Sequence, residues 1–396
     1  MARPDKPYRV YKSGRTIGSG SLRSKPSARP AADRGGNGQT PGTVRPRRPR
    51  RRWGWGRRIG VGIAVLLLFV LVWALLGFLS FRGGVAKANK RVGFPTRAAL
   101  ANQDSLLLSN PSDLLLLGTD HANSDARAND QHSDSMILVR TDPSHHRIAY
   151  LSIPRDLRVP IPGHGDSKIN AAFQIGGPPL AIRTVRNFLG LPVNHVLVVD
   201  FGSFKQLIDD VGGITIDVPA PILSNRFDCP YASQARCQRW PGWRFRKGVQ
   251  HMDGQRALIY SRIRENRLNP SESDVTRAER QQHVVQATLK KLASASTFAK
   301  APFDAGKYVR PIATDLSAWQ LVQLGWVYKR AGRVLHCRLG GSAMSIGGES
   351  VIVPTDENRR VVAMVTGKSA PQPPPPGSGP YGPGCVTGDR SISRSS

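Results

Sequence analysis

The chain has 396 residues, with 57 Lys and Arg against 27 Asp and Glu and a formal net charge of +30. A hydrophobic fraction of 39% excludes a wholly disordered protein, and the scarcity of long apolar runs excludes a polytopic membrane protein. Four cysteines exclude a disulfide-dense miniprotein.

Half of the net charge lies in the first 58 residues, where 17 Lys and Arg face only Asp5 and Asp33. Gly, Pro, Ser and Arg dominate there, so burial cannot offset chain entropy, and residues 1–58 are expected to be a disordered basic tail. Ile59 to Phe81 follows, 23 residues without a charge. As a helix it would be about 34 Å long, enough to cross a hydrocarbon core of about 30 Å. It lacks the polar stripe of a buried soluble helix. Eight arginines between Arg45 and Arg58 predict a cytoplasmic N-terminus and an outer C-terminal part. A cleaved signal peptide, with Ala86-Lys87-Ala88 as its cleavage pattern, is the rival reading, but the apolar run is about twice the usual length. Beside a membrane span, the basic tail reads as a topology determinant and a binder of anionic headgroups. Nothing in it resembles a base-reading module, so no nucleic acid is expected as a partner.

Residues 82–112 read as a juxtamembrane connector and 113–365 as one extracytoplasmic domain. Residues 366–396, with the low-complexity run from Pro371 to Gly384, read as a disordered Pro/Gly/Ser-rich tail. In the domain, Asp113–Asp120 is an apolar run that suits a buried strand. Ser135–Thr141 and Arg147–Ile153 are two more strands, joined as a hairpin by an Asp-Pro turn. Pro179–Gly190 has helical spacing and a glycine stop. Val193–Asp200 is a strand, Phe201–Val211 a helix, and Ile214–Val218 a strand. Asp253–Tyr260 reads as a helix running into a strand-like Ser261–Arg264, and Asp274–Leu292 as a long amphipathic helix. Hairpin and crossover links together predict an α/β fold with a mixed sheet between helical layers. All four cysteines follow the span, and an even number outside the cytoplasm favours disulfides. Cys229 and Cys237 would close a short loop, leaving Cys337 and Cys385.

The chain has no P-loop, no dinucleotide fingerprint, no nucleophile elbow and no His-Glu-x-x-His zinc motif. Asp120, ending the first strand, and Asp134, just before the second, form an oxygen-only pair that suits Mg²⁺; turn or cap roles are the alternative. Arg155 ends the third strand. Arg262 and Arg264 would share one face of a strand, and Arg277, Arg280 and Gln281 one face of a helix. Five arginines with planar forks could cage a diphosphate. The alternative is a solvated basic face paired with Asp156, Glu265, Asp274 and Glu279.

Several short segments occur in order: Gly118-Thr-Asp120, His132-Ser-Asp-Ser-Met136, Ser152-Ile-Pro-Arg-Asp156, Lys168-Ile-Asn-Ala-Ala172, Val211 to Asp217 after the Phe201 helix, Met252 to Arg264, and Asp274 to Gln282. Together, over about residues 114–292, they resemble the LytR-CpsA-Psr family of cell-wall assembly proteins. The basic composition and the Pro-rich tail look actinobacterial. The resemblance implies a membrane-anchored phosphotransferase that moves a glycopolymer from a polyprenyl-pyrophosphate carrier onto peptidoglycan. By position, Asp120 and Asp134 match the family's Mg²⁺-associated carboxylates. Arg155, Arg262, Arg264, Arg277 and Arg280 match its pyrophosphate-binding arginines, and Gln281 a polar contact beside them. Lys168 and Asn170 border that site, and Asp120 or Asp156 could take the proton of the attacking hydroxyl. The family usually has arginine where this chain has His132, and often where it has Ala122; Arg127 could substitute. His121 and His132 could add pH dependence near neutrality, or be simply exposed. Phe188, Leu189, Phe204, Leu207 and Ile208 are candidates for an apolar lipid slot, or are core. Two other functions compete: a pyrophosphatase using water at the same site, and a non-enzymatic envelope regulator or wall-binding anchor.

Overall fold

The uncharged run makes the first helix. In the computed structural model, which describes residues 54–103, 106–119, 133–270, 274–378 and 381–388, Ile59–Phe81 lies within the 36-residue α1 (Trp55–Lys90). The described residues from Ile59 onward form one compact unit. Residues 1–53 lie outside the described ones. α1 does not stop at Phe81 but continues to Lys90, where a connector was expected. Val85 and Ala88 are buried against Val309 and Ile312, and this packing stabilises the additional turns.

Seven strands form the central sheet: β1 (Ser112–Thr119), β2 (Ser133–Asp142), β3 (Arg147–Ile153), β4 (His195–Asp200), β5 (Ala313–Thr314), β6 (Arg333–Arg338) and β7 (Gly384–Thr387). Their order is β5-β4-β1-β2-β3-β6-β7. β1 pairs antiparallel with β2 and parallel with β4, while β3 pairs antiparallel with β2 and parallel with β6. The sheet is therefore mixed, as hairpin and crossover links dictate.

Strand periodicity divides the sheet's two faces. Leu115, Leu117, Leu138 and Leu151 pack on one face against α2 (Ala171–Leu189) and α9 (Glu357–Thr366). Leu114, Leu116, Ile137 and Tyr150 point to the other, toward α5 (Asp274–Leu292) and α8 (Ala318–Arg330). Helices thus cover both faces. α2 begins before Pro179: its first turns precede a break at Gly176-Gly177, and Gly177 adopts φ 59°. Gly190 ends the helix at φ 64°, a left-handed cap that glycine adopts without strain.

A second core gathers α3 (Phe201–Asp210), α4 (Gly254–Arg262) and the ribbon formed by Ile214–Val218 and Gly248–Met252. Asp200 caps α3, its Oδ1 accepting from Ser203 N at 2.8 Å, and Asp253 caps α4 by accepting from Arg256 N at 2.7 Å. Between the two cores and α1 lie the short α6 (Ala295–Ala299) and α7 (Ala301–Val309).

The C-terminal segment departs from its expected disorder. Gly384–Thr387 is β7, an edge strand of the main sheet, and Cys385 is bonded to Cys337 on the adjoining β6. The folded domain therefore extends beyond residue 365. The Cys337–Cys385 pairing is as expected; what Pro and Gly content does not register is the strand pairing it supports, and the two together offset the entropy of ordering the segment. The second disulfide joins Cys229 to Cys237.

Candidate active site

Strand register brings the motif residues to one edge of the sheet. Gly118 stands opposite Ser135, Thr119 opposite Ser133, Thr119 beside Asp200, and Met136 opposite Ile153. The C-terminal ends of β1, β3 and β4 thus meet the start of β2. α5 is fastened across this edge. Ser135 Oγ donates to Gln281 Oε1 at 2.9 Å, and Gln282 Nε2 donates to Ser152 Oγ at 2.7 Å and to the Cys337 carbonyl at 3.2 Å. His336, stacked on Tyr150, pairs through Nδ1 with Gln282 Oε1 at 2.6 Å and through Nε2 with Gln286 at 2.8 Å. This arrangement assigns the imidazole proton to Nδ1.

A cavity of about 940 Å³ lies between the sheet, α5, α8 and α1. Its walls are largely apolar, with Leu116 and Ile137 from the sheet, Val285 and Leu289 from α5, Phe78 from α1 and Tyr328 from α8. It follows α5 from Arg277 to Leu292, 15 residues apart and so about 22 Å of helix. Arg262, Arg264, Arg277 and Gln281 line one end. Phe298, Val322 and Trp73 line the other.

The five arginines hold different positions. Arg262 closes α4, where a strand was expected at Ser261–Arg264; Ser261 is buried in the helix and its Oγ donates to the Leu258 carbonyl at 2.8 Å. The two arginines therefore reach the cavity from a helix end and the segment after it, not from one strand face. Arg262 forms an ion pair with Asp228, and its guanidinium lies 4.7 Å from the Phe201 ring centroid and 5.7 Å from that of Phe227. Arg277 and Arg280 are 7% and 5% exposed, which is incompatible with a solvated basic face on α5. Arg277 lines the cavity. Arg280 instead donates to the Ile263 carbonyl at 2.6 Å and to Thr276 Oγ1 at 3.2 Å, holding the Arg262–Arg264 segment against α5.

Arg155 belongs to a separate group just past β3. Its Nε lies 3.3 Å from Asp156 Oδ2, while Lys168 Nζ is 3.6 Å from Asp156 Oδ1 and 3.6 Å from Glu349 Oε2. Asn170 N donates to the Arg155 carbonyl at 3.2 Å, which fixes the loop between β3 and α2. Strand register puts Arg155 two residues beyond the Met136–Ile153 pair, at the same sheet edge as the arginine end of the cavity.

Asp120, His121, Ala122, Arg127 and His132 lie outside the described residues, and of Asp134 only the backbone is described. Thr119 and Ser133, the chain neighbours of the two aspartates, are paired at this edge. Among the described residues no group of three His, Cys, Asp or Glu could hold a metal. Of the five lipid-slot candidates, Phe204 and Leu207 line the cavity. Ile208 is fully buried in the second core, and Phe188 and Leu189 pack on the opposite face of the sheet. Helical spacing shows which residues are apolar, not which core they enter.

Sequence reasoning missed Asp228, Phe227 and Glu349. Asp228 is separated from Arg262 by 34 residues, and its only local signal is the neighbouring Cys229, whose disulfide braces the loop. Ser135 of the His132–Met136 segment acts here as well, through its bond to Gln281.

The chain is similar to known proteins in sequence and in fold. The LytR_cpsA_psr family model matches residues 85–363. The polyisoprenyl-teichoic acid–peptidoglycan teichoic acid transferase TagV of Bacillus subtilis is 32% identical over 236 residues, covering 59% of this chain and 56% of TagV. The transferase TagU of Halalkalibacterium halodurans is 30% identical over 256 residues, covering 64% of this chain and 77% of TagU. The crystal structure of B. subtilis TagV is similar at a TM-score of 0.53 and 29% identity, over 65% of this chain and 97% of that one. A TagT structure with bound octaprenyl pyrophosphate shares the fold at a TM-score of 0.50 and 23% identity, over 67% of this chain and 92% of that one. With a matched family model over most of its length and the motif segments gathered at one sheet edge, the chain belongs to the LytR_cpsA_psr family.

Proposed function

We propose that this protein is a membrane-anchored phosphotransferase that moves a glycopolymer from a polyprenyl-pyrophosphate carrier to peptidoglycan. Its relatives TagV and TagU are named for the transfer of teichoic acid. The observation that carries the reading is the cavity, an apolar passage ending in Arg262, Arg264 and Arg277. An isoprenoid chain suits the apolar part and a pyrophosphate suits the arginine end. α1 anchors the domain at the membrane, and the arginine-rich flank supports an extracytoplasmic site.

In the reaction, a hydroxyl oxygen of the acceptor bonds to the phosphorus that carries the polymer. The bond from that phosphorus to the bridging oxygen breaks, and polyprenyl phosphate leaves. Arg262, Arg264 and Arg277 neutralise charge that grows on the departing phosphate. The hydroxyl proton passes to a carboxylate at the same edge, Asp156 or Asp120. Arg155 and Lys168 hold Asp156 in place. Asp120 and Asp134 would hold Mg²⁺, which when bound supplies further neutralisation of the pyrophosphate. No nucleoside triphosphate is required, because cleavage of the pyrophosphate linkage drives the transfer.

The test is a reconstituted assay with a polyprenyl-pyrophosphate-linked glycopolymer, peptidoglycan oligomers and Mg²⁺. A polymer–peptidoglycan phosphodiester formed by wild type and abolished by Arg277→Ala supports the reading. Released phosphorylated polymer without conjugate would assign the protein to hydrolysis instead.

A further inference from the structure

The passage of α1 into the domain carries information about depth. Trp73 lies eight residues before Phe81, the last residue of the uncharged run, and so about 12 Å inside the outer end of the span. At this level α1 is not alone. The Trp73 ring meets Phe303 of α7 edge-on at a centroid distance of 5.8 Å. One turn on, a Cβ at Gly77 would stand 3.2 Å from Ala301 Cβ, and beyond that Gly306 N donates to Ser80 Oγ at 3.3 Å. Small residues on both helices permit this close approach. If α1 crosses a bilayer, the start of α7 is carried below the membrane surface.

Exposed apolar side chains surround this contact, and the charges of α7 next to Phe303 are paired, Lys307 Nζ lying 2.8 Å from Asp304 Oδ1. Phe303 is 72% exposed and Phe298 61%. On α8, Trp319, Val322 and Trp326 follow i, i+3, i+7 spacing, share one helix face, and are all exposed. Phe298 and Val322 also line the cavity. This apolar face adjoins the flank of α1 on which Leu71, Val72, Leu75, Leu76 and Leu79 are exposed. Lys329 and Arg330 end α8, with the Arg330 guanidinium 5.7 Å from the Trp326 ring. Exposed aromatic rings with a basic margin match the boundary between acyl chains and headgroup phosphates.

We infer that the face formed by α6, α7 and α8 is immersed in the bilayer beside α1, with Phe303 among the acyl chains and Trp319 and Trp326 at the headgroup boundary. The domain is then both anchored by a span and seated in one leaflet. Phe298 and Val322, shared by this face and the cavity wall, then put the cavity beside acyl chains, so that an isoprenoid can enter sideways without crossing water. The immersion rests on α1 and its contacts, and is independent of the transferase reading.

The test uses the full chain in lipid nanodiscs, one copy per disc, with lipids brominated along the acyl chain. The fluorescence that Phe303→Trp adds to wild type is expected to fall by half or more in brominated lipid and to resist aqueous acrylamide. The emission lost in Trp319→Phe with Trp326→Phe is expected to be bromine-sensitive as well. Added emission that bromine leaves unchanged and acrylamide quenches would overturn the inference. Protection of that emission from both quenchers would also overturn it, and would point to protein packing in place of lipid.

Discussion

The Arg262 guanidinium lies 4.7 Å from the centroid of the Phe201 ring, between the end of α4 and the start of α3. Phe201 follows Asp200, the last residue of β4, so the sheet edge itself supplies the platform on which this cation rests. A planar guanidinium can stack on the ring and still present N–H groups to a phosphate; an ammonium cannot do both. Arg262→Ala is expected to lower transfer by about 100-fold and Arg262→Lys by about 10-fold. Far-ultraviolet circular dichroism should be unchanged in both. Equal activity of the lysine variant and wild type would show that charge alone suffices.

Gln282 connects three elements: Ser152 on β3, the Cys337 carbonyl on β6, and His336. All of these groups are buried, so a truncated partner leaves polar atoms without water or protein. Gln282→Ala is expected to destabilise the domain by about 3 kcal/mol, with about 1–3 kcal/mol for each unsatisfied group. Urea unfolding of the detergent-solubilised chain measures it.

The two disulfides should differ in weight. Cys337–Cys385 encloses a separation of 48 residues and Cys229–Cys237 one of 8. The chain-entropy model assigns them about 4 and about 2.5 kcal/mol. Paired Cys→Ala variants, compared by urea midpoint, should follow that order. The 337/385 pair should also loosen β7, seen as faster amide exchange over residues 384–387.

Asp113 is fully buried, with Arg140 Nη1 2.5 Å from its Oδ2. Burial pushes its carboxyl up to about 6 from the ordinary 3.8, against the lowering pull of Arg140. The folded state therefore binds a proton that the unfolded state releases between these values. This contribution is complete below about pH 4 and is lost as pH rises through about 6, a loss of about 3 kcal/mol. The stability advantage of wild type over Asp113→Asn should shrink by that order between about pH 4 and about pH 7. An advantage that grows over the window would contradict the assignment.

Much of this fold was readable from local pattern. The apolar alternation of β1, β2 and β3 and the long period of α5 announced themselves, because burial on one or both faces dictates the residue order. The arginines of the candidate site were legible as residue types at suggestive spacing. Their partition was not, since Arg277 faces the cavity while Arg280, three residues on, holds a backbone carbonyl. Ser261–Arg264 was misread because burial of Tyr260 and Ser261 extends α4 beyond what its short apolar run suggests. β7 as a strand and the role of Asp228 were not legible, for a common reason. Each is placed by a partner far away in the chain: the cysteine count pointed to the Cys337–Cys385 bond but not to the strand it holds, and Cys229 marked a braced loop but not the Asp228–Arg262 ion pair.

The central claim is that the cavity holds a polyprenyl chain with its phosphates at the arginine end. Mass spectrometry of lipid that co-purifies with the detergent-extracted full chain tests it most directly, on wild type and on Arg262→Ala with Arg264→Ala. The account predicts a polyprenyl phosphate or pyrophosphate in wild type and its loss from the double variant. No such lipid in folded wild type, or equal amounts in both proteins, would contradict it.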